Sequence, residues 1–231
     1  MVVFIIIGYV TVGLRFATIT AILLAFIGAT GMWMHSMITL SSVLVSVLIC
    51  FVIGVPLGVL ASYNKWYRDI QNVVLDAMQT LPYFCYLIPV LMFFGGNIVS
   101  AVIATVIYSG PPIIRLTALG LSQVSGGYSE VSKSFGGTGI QTLNKVKFPL
   151  AVPSLVMGFN QTVIMAFAMQ IVTPLIGGKG LGLQVFNALQ RSDTGRGLSA
   201  GLAIVLLAII IDRITHAWTK KQRQALGLDQ S

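Results

Sequence analysis

The chain has 231 residues, 56% of them hydrophobic and only 9% charged, with a formal net charge of +8 at pH 7. Soluble domains carry about 25% charged residues, so this composition excludes an ordinary soluble enzyme and points to an integral membrane protein. The positive balance then belongs to basic loops that meet anionic lipid headgroups, and no nucleic-acid partner is implied.

Runs of about 20 apolar residues cross a bilayer core as helices, and the ~10-residue alternating pattern of an outer-membrane barrel is absent. Apolar segments are predicted at roughly 2–14, 16–33, 37–62, 72–95, 97–119, 150–176 and 198–218. The expected fold is therefore all-α, a polytopic transmembrane bundle of about 6–7 spans. The opening MVVFIIIGYV lacks the charged n-region and small-residue cleavage site of a signal peptide and reads as a short or truncated first span. Residues 1–33 form the N-terminal spans, 34–218 the membrane core, and 219–231 a cytoplasmic tail.

Within the core, Gly54 and Gly58 make a small-xxx-small face where helices approach closely. Pro82 and Pro89 are expected to kink the 72–95 segment. Asp76, in the same segment, is either an intramembrane functional carboxylate or the partner of a basic neighbour such as Arg68. Cys50 and Cys85 lie in apolar stretches and read as packing residues, so neither a disulfide nor a metal site is expected. His35 and His216 stand at distant span ends, which also argues against a metal pair, and Asp212 and Arg213 are expected to snorkel from the last span.

Orientation follows from the basic residues. With the 120–149 loop in the cytoplasm, Arg15, Lys65, Arg68, Arg115, Lys133, Lys145, Lys147, Arg213, Lys220, Lys221 and Arg223 fall inside. Only Lys179, Arg191 and Arg196 fall outside.

The polar insert EVSKSFGGTGIQTLNKVKFP at 130–149 carries the strongest functional signal. Gly126-Gly127 is expected to break the preceding helix. A short helix over 129–135 follows, with Ser129 as N-cap and Glu130 favoured by the helix dipole. Gly136-Gly137 turns the chain into a second short helix at about 139–147, which Pro149 ends. Phe135, Ile140 and Leu143 form an apolar knob.

These residues resemble the cytoplasmic "EAA" signature of the membrane subunits of binding-protein-dependent ABC importers: Glu130, small Ser132, Gly136 six positions after the Glu, Val146 ten further on, and Pro149. Val131, Ser132 and Phe148 depart from its two alanines and its leucine. DAMQTLPYFCYLIPVLMFFG (76–95), PPIIRLTALGLSQV (111–124), NQTVIMA (160–166), LIGGKGLG (175–182) and GLAIVLLAIIIDRIT (201–215) resemble the glycine betaine/proline permease branch in particular.

The resemblance implies an ABC importer permease fold in which the insert is a coupling helix. Glu130, Val131, Ser132, Gly136, Val146 and Pro149 would then belong to the loop that docks on cytoplasmic ATPase subunits. It further implies a periplasmic or extracellular substrate-binding protein, a second permease chain, identical or paralogous, and residence in a bacterial cytoplasmic (inner) membrane. The solute would be glycine betaine, proline betaine, choline, carnitine or trimethylamine N-oxide. GGTG (136–139) and GGKG (177–180) lack the GxxxxGK[ST] spacing. The chain is therefore expected to bind no cofactor, with ATP used by the partner subunit.

Quaternary ammonium ions bind to the faces of aromatic rings. Trp33, Tyr83, Phe84 and Tyr86 are thus either part of a substrate path or members of an interfacial belt and core. Gly177 and Gly178, in LIGGKGLG, belong either to an outer gate or docking surface, or to a helix C-cap and turn. An ion-coupled secondary transporter or channel is the alternative, disfavoured because Asp76 is the one marginal intramembrane charge. A non-transporting scaffold for an ATPase is a third reading.

Overall fold

The structure, a computed structural model, describes residues 13–225 together with Ile6 and Gly8, with side chains described as far as residue 217. The predicted segment 2–14 lies almost wholly outside the described residues. The helices run in chain order: α1 (Leu14–Ala29), α2 (Trp33–Tyr63), α3 (Lys65–Thr80), α4 (Phe84–Phe94), α5 (Ile98–Ser109) and α6 (Pro111–Gln123). They continue with α7 (Gly126–Ser134), α8 (Gly139–Thr142), α9 (Phe148–Met169), α10 (Leu181–Arg191) and α11 (Thr194–Ala225). A π-helical turn (Leu143–Lys147) joins α8 to α9, and a 3-10 turn (Thr173–Ile176) follows α9. No strand occurs among the described residues.

Local chemistry sets the boundaries. Asn64 starts α3 by accepting from Tyr67 N at 3.3 Å, and Asn97 starts α5 by accepting from Ser100 N at 3.0 Å. Gly95, at φ 72°, ends α4. Gly110, Pro111 and Pro112 look like a break, yet Gly110 is helical and the prolines sit where the first helical N–H groups need no partner. As a result α5 and α6 form one apolar span, Ile98–Gln123.

The predicted 72–95 segment is corrected. Its helix begins at Lys65, and the chain then turns by 98° between α3 and α4. Leu81 is extended ahead of Pro82, the conformation that the clash with the proline ring favours for the preceding residue. Pro89 lies inside α4 and does not interrupt it. Four described helices are long and apolar enough to cross a membrane, five if α3 and α4 count as one broken span, and α1 is a shorter apolar helix.

In lipid, helices associate through close packing of small residues rather than by the hydrophobic effect. The α2–α6–α9 interface follows that rule. A Cβ on Gly54 would lie 2.7 Å from Ile113 Cγ2, and one on Gly120 would lie 2.6 Å from Ser154 Cβ. α9 contributes to all three packed cores: with α1, α2 and α11 through Val163 and Phe167, with α2 and α6 through Ala151 and Leu155, and with α4 and α5 through Met169. It is the central pillar of the fold, and the polar insert is its N-terminal extension.

Gly58 makes the tightest approach on α2: a Cβ there would stand 2.6 Å from Thr117 Cβ and 2.7 Å from the Ile114 carbonyl oxygen. Gly58→Leu is expected to separate α2 from α6 and to destabilise the chain by more than about 3 kcal/mol. Gly28→Leu, at a position with nothing within 4 Å of the added Cβ, should leave the detergent thermal midpoint nearly unchanged.

Candidate functional site

The insert is a pinned helix with an apolar outer face. Val124 is extended, and α7 starts at Gly126 after Ser125. Gly126 and Gly127 therefore open a helix instead of breaking one; the helix ahead of them has already ended. Ser129 lies inside α7 and is not its cap. Glu130 sits beyond the first turn, outside the reach of the N-terminal dipole.

α7 ends in a Schellman motif. Gly137 N donates to Ser132 O and Gly136 N to Lys133 O, both at 2.9 Å, with Gly136 at φ 75°. A side chain larger than glycine has room at Gly136 but is strained by that backbone conformation.

Two contacts then fasten α7 and its neighbours. Ser132 Oγ shares a hydrogen bond of 2.8 Å with Thr142 Oγ1, linking α7 to α8. Thr138 caps α8 in a reciprocal box with Gln141. The chain passes from α8 into α9 without a break. Pro149 does not end the helix, because the π turn before it carries Phe148 N to Leu143 O and absorbs the N–H that proline lacks. Val146 and Pro149 are half-buried at this base, and Lys147 Nζ stands 5.3 Å over the Tyr63 ring at the end of α2.

Tyr128, Val131 and Phe135 are exposed and spaced i, i+3, i+7, so they share one face of α7. Phe135 is 88% exposed and Ile140, beyond the turn, 73%. Leu143 does not join this knob; it packs inward on the Val55–Ile113–Leu121 core. Tyr128 takes its place. A helix taken from residue 129 leaves Tyr128 outside it, and the i, i+3, i+7 spacing shows only with the true start at Gly126. Glu130 and Gly136 are exposed, while Ser132 is half-buried by its bond to Thr142.

Away from the insert, Trp33 packs half-buried against the α1–α2–α9–α11 core. Tyr83 and Phe84 are exposed, and Tyr86 is buried. Tyr83 and Tyr86 both meet Tyr108 edge-on, at 6.2 and 6.1 Å between centroids. Tyr108, on α5, had no signal in the linear sequence.

Gly177 caps the 3-10 turn at φ 89°, and Gly178 N donates to Thr173 O at 2.8 Å. A Cβ on either glycine would meet Asn97 N or Thr173 Oγ1 within about 2.6 Å. The segment has the geometry of a close-packed capped turn.

Asp76 pairs with Arg115 at 2.5 Å, not with Arg68. Asp212, expected to snorkel, instead accepts from Asn160 Nδ2 at 2.6 Å, and Asn160 Nδ2 lies 3.2 Å from His216 Nε2. This cluster ties α9 to α11. Asn160→Ala leaves the Asp212 carboxylate without its amide donor and should cost about 1–2 kcal/mol, read as a lowered thermal midpoint in detergent. His35, by contrast, meets Gln184 at 3.3 Å. Among the described residues no group of three or more His, Cys, Asp or Glu is placed to hold a metal.

The family model "Binding-protein-dependent transport system inner membrane component" matches residues 54–224. The glycine betaine/proline betaine transport system permease protein ProW of Escherichia coli is 42% identical over 223 residues, which are 96% of this chain and 63% of that protein. The glycine betaine/carnitine transport permease protein GbuB of Listeria monocytogenes is 45% identical over 191 residues, 83% of this chain and 68% of that protein. The chain thus spans about two thirds of the length of these relatives. An inward-facing structure of the MetNI methionine ABC transporter superposes with a TM-score of 0.72 over 80% of this chain and 93% of its own, at 23% identity, a likeness of fold.

Proposed function

The chain belongs to the family of inner membrane components of binding-protein-dependent transport systems, and from that premise we propose that it is the permease subunit of an ATP-driven importer. Its solute is a small quaternary ammonium compound such as glycine betaine, proline betaine or carnitine, the solutes in the names of the relatives. ATP is hydrolysed by separate cytoplasmic subunits, a soluble binding protein delivers the solute, and a second permease chain completes the passage. This chain performs no covalent chemistry.

One observation carries this reading: an exposed apolar stripe, Tyr128, Val131 and Phe135, sits on a capped helix hydrogen-bonded to α8, which runs on into the pillar helix. Exposed aromatics clustered on a rigid surface suit a docking partner. Val131 lies in the stripe, Glu130, Ser132 and Gly136 frame it, and Val146 and Pro149 stand at the base where the insert runs into α9. A push on α7 passes through the Ser132–Thr142 bond into a helix shared by all three cores. Closing of the ATPase pair on ATP therefore rocks the spans between inward-facing and outward-facing states, as interface-driven rigid-body transitions do. The aromatic set Tyr83, Phe84, Tyr86 and Tyr108 and the capped turn at Gly177 and Gly178 belong to the passage and its outer end; Trp33 is a packing residue.

The test is reconstitution in proteoliposomes with the cognate ATPase and binding protein. Uptake requiring both ATP and the binding protein is expected. Uptake driven by an ion gradient without the ATPase, or ATPase binding with no solute movement, would overturn the proposal.

A further inference from the structure

Asp76 and Arg115 form an ion pair that the fold leaves open on one side. Arg115 Nη2 donates to Asp76 Oδ1 at 2.5 Å, joining α3 to α6. The Asp76 side chain is 64% exposed and that of Arg115 37%. Arg115 Nε is buried and has no hydrogen-bond partner among the described residues. The guanidinium, which binds carboxylates best in a two-bond fork, is thus only partly used.

The depth of the pair decides what it faces. The span Ile98–Gln123 has 26 residues, about 39 Å of helix at 1.5 Å per residue. Arg115 precedes its Gln123 end by eight residues, about 12 Å, which places it inside a hydrocarbon layer of about 30 Å. Ionised side chains at that depth face a polar interior or a water-filled cavity, because an open charge against lipid tails is costly. The exposed side of this pair therefore marks a wet surface.

Tyr108 lies seven residues before Arg115 on the same span, two turns away on the same face. Its ring meets those of Tyr83 and Tyr86, and the Tyr86 hydroxyl donates to the Met78 carbonyl, two residues from Asp76. A guanidinium, a carboxylate and a set of aromatic faces thus occupy one region.

We propose that Asp76 and Arg115 line the aqueous passage and form its selective contact with a small zwitterion. Arg115 takes the solute carboxylate and Asp76 the ammonium end, with the rings of Tyr83 and Tyr108 beyond them. The exchange keeps every charge paired: the protein pair opens as the solute pair enters and closes as it leaves. No net charge is stranded, so a neutral zwitterion passes more readily than an ion. This assignment rests on the transport reading above and adds residues that reading does not need.

The experiment uses the assembled transporter in proteoliposomes, with glycine betaine uptake by the unmodified chain as the reference. Asp76→Asn and Arg115→Gln are each expected to lower uptake at least ~10-fold, mainly through KM, as loss of a charge-assisted contact does. Labelling provides a second reading with the pair intact. A lone cysteine at Val73, one turn from Asp76 on α3, is placed in a chain whose Cys50 and Cys85 are alanine. It is expected to react with a membrane-impermeant trimethylammonium thiosulfonate and to be protected by glycine betaine.

Full uptake by both neutralised variants would overturn the proposal. So would a Val73→Cys chain that is unlabelled or unprotected, even where the neutralised variants fail to assemble; the pair would then be a structural clasp and the transport reading would stand. Absence of uptake by the unmodified chain is a different result, which removes the transport reading and this inference with it.

Discussion

Phe135→Asp is expected to abolish solute uptake while leaving the chain folded and inserted. Phe135 is 88% exposed and contributes to none of the three packed cores, so its replacement should change the chain's own stability by less than about 0.5 kcal/mol. Its expected effect falls entirely on a docked partner. An aromatic anchor that fills a pocket contributes about 2–4 kcal/mol to an interface, and an aspartate in the same pocket adds the desolvation cost of an unpaired charge. A total near 4 kcal/mol is about a thousandfold in affinity, enough to empty the site at working concentrations. Co-purification of the ATPase and ATP-driven uptake should both be lost, whereas Phe135→Leu should retain much of each. Normal uptake by Phe135→Asp would mean that the α7 face carries no partner.

The contrast between α2 and the insert explains which parts of this molecule were legible in the linear chain. Gly54 and Gly58 announce a close helix approach because spacing on one helix is a local property, and the structure seats α6 there. Pro82 likewise acts on its immediate neighbour, Leu81. The insert misleads at both ends. Gly126-Gly127 reads as a breaker only if the preceding helix is still running, and it has already ended at Gln123. Pro149 reads as a terminator only if the helix ahead of it is strictly α, and the π turn removes that condition.

Side-chain partners were hidden for a different reason. Asp76 finds Arg115 across 39 positions and Asn160 finds Asp212 across 52, and no periodicity encodes which spans become neighbours. Arg68 was the nearer basic residue in sequence, but it is on the same helix as Asp76, eight positions away, and two turns separate the two side chains.

Gly182→Ala is expected to prevent the folded chain from accumulating at all. The added Cβ would overlap the Gln170 carbonyl oxygen outright and crowd the Gln170 carbonyl carbon at 2.8 Å. Both obstacles are backbone, so no rotamer change relieves them. Gln170 caps the C-terminus of α9 and is fully buried, and its side chain reaches Thr105 on α5 at 3.4 Å. One residue before Gly182, Leu181 N donates to Thr39 Oγ1 on α2 at 2.8 Å. Moving α10 away from Gln170 therefore breaks its tie to α2, while moving Gln170 disturbs the α5 contact and the pillar helix.

Overpacking against side chains alone costs about 1–3 kcal/mol; a backbone clash locked from both sides should exceed about 4 kcal/mol, a large part of a domain's total stability of about 5–15 kcal/mol. Gly201→Ala, where the new methyl meets nothing within 4 Å, is the matched control. Fluorescence-detected size exclusion should show a monodisperse peak for Gly201→Ala and aggregate or no protein for Gly182→Ala. A Gly182→Ala chain that is monodisperse and melts within about 2 °C of the parent would mean that α10 does not rest on the end of α9.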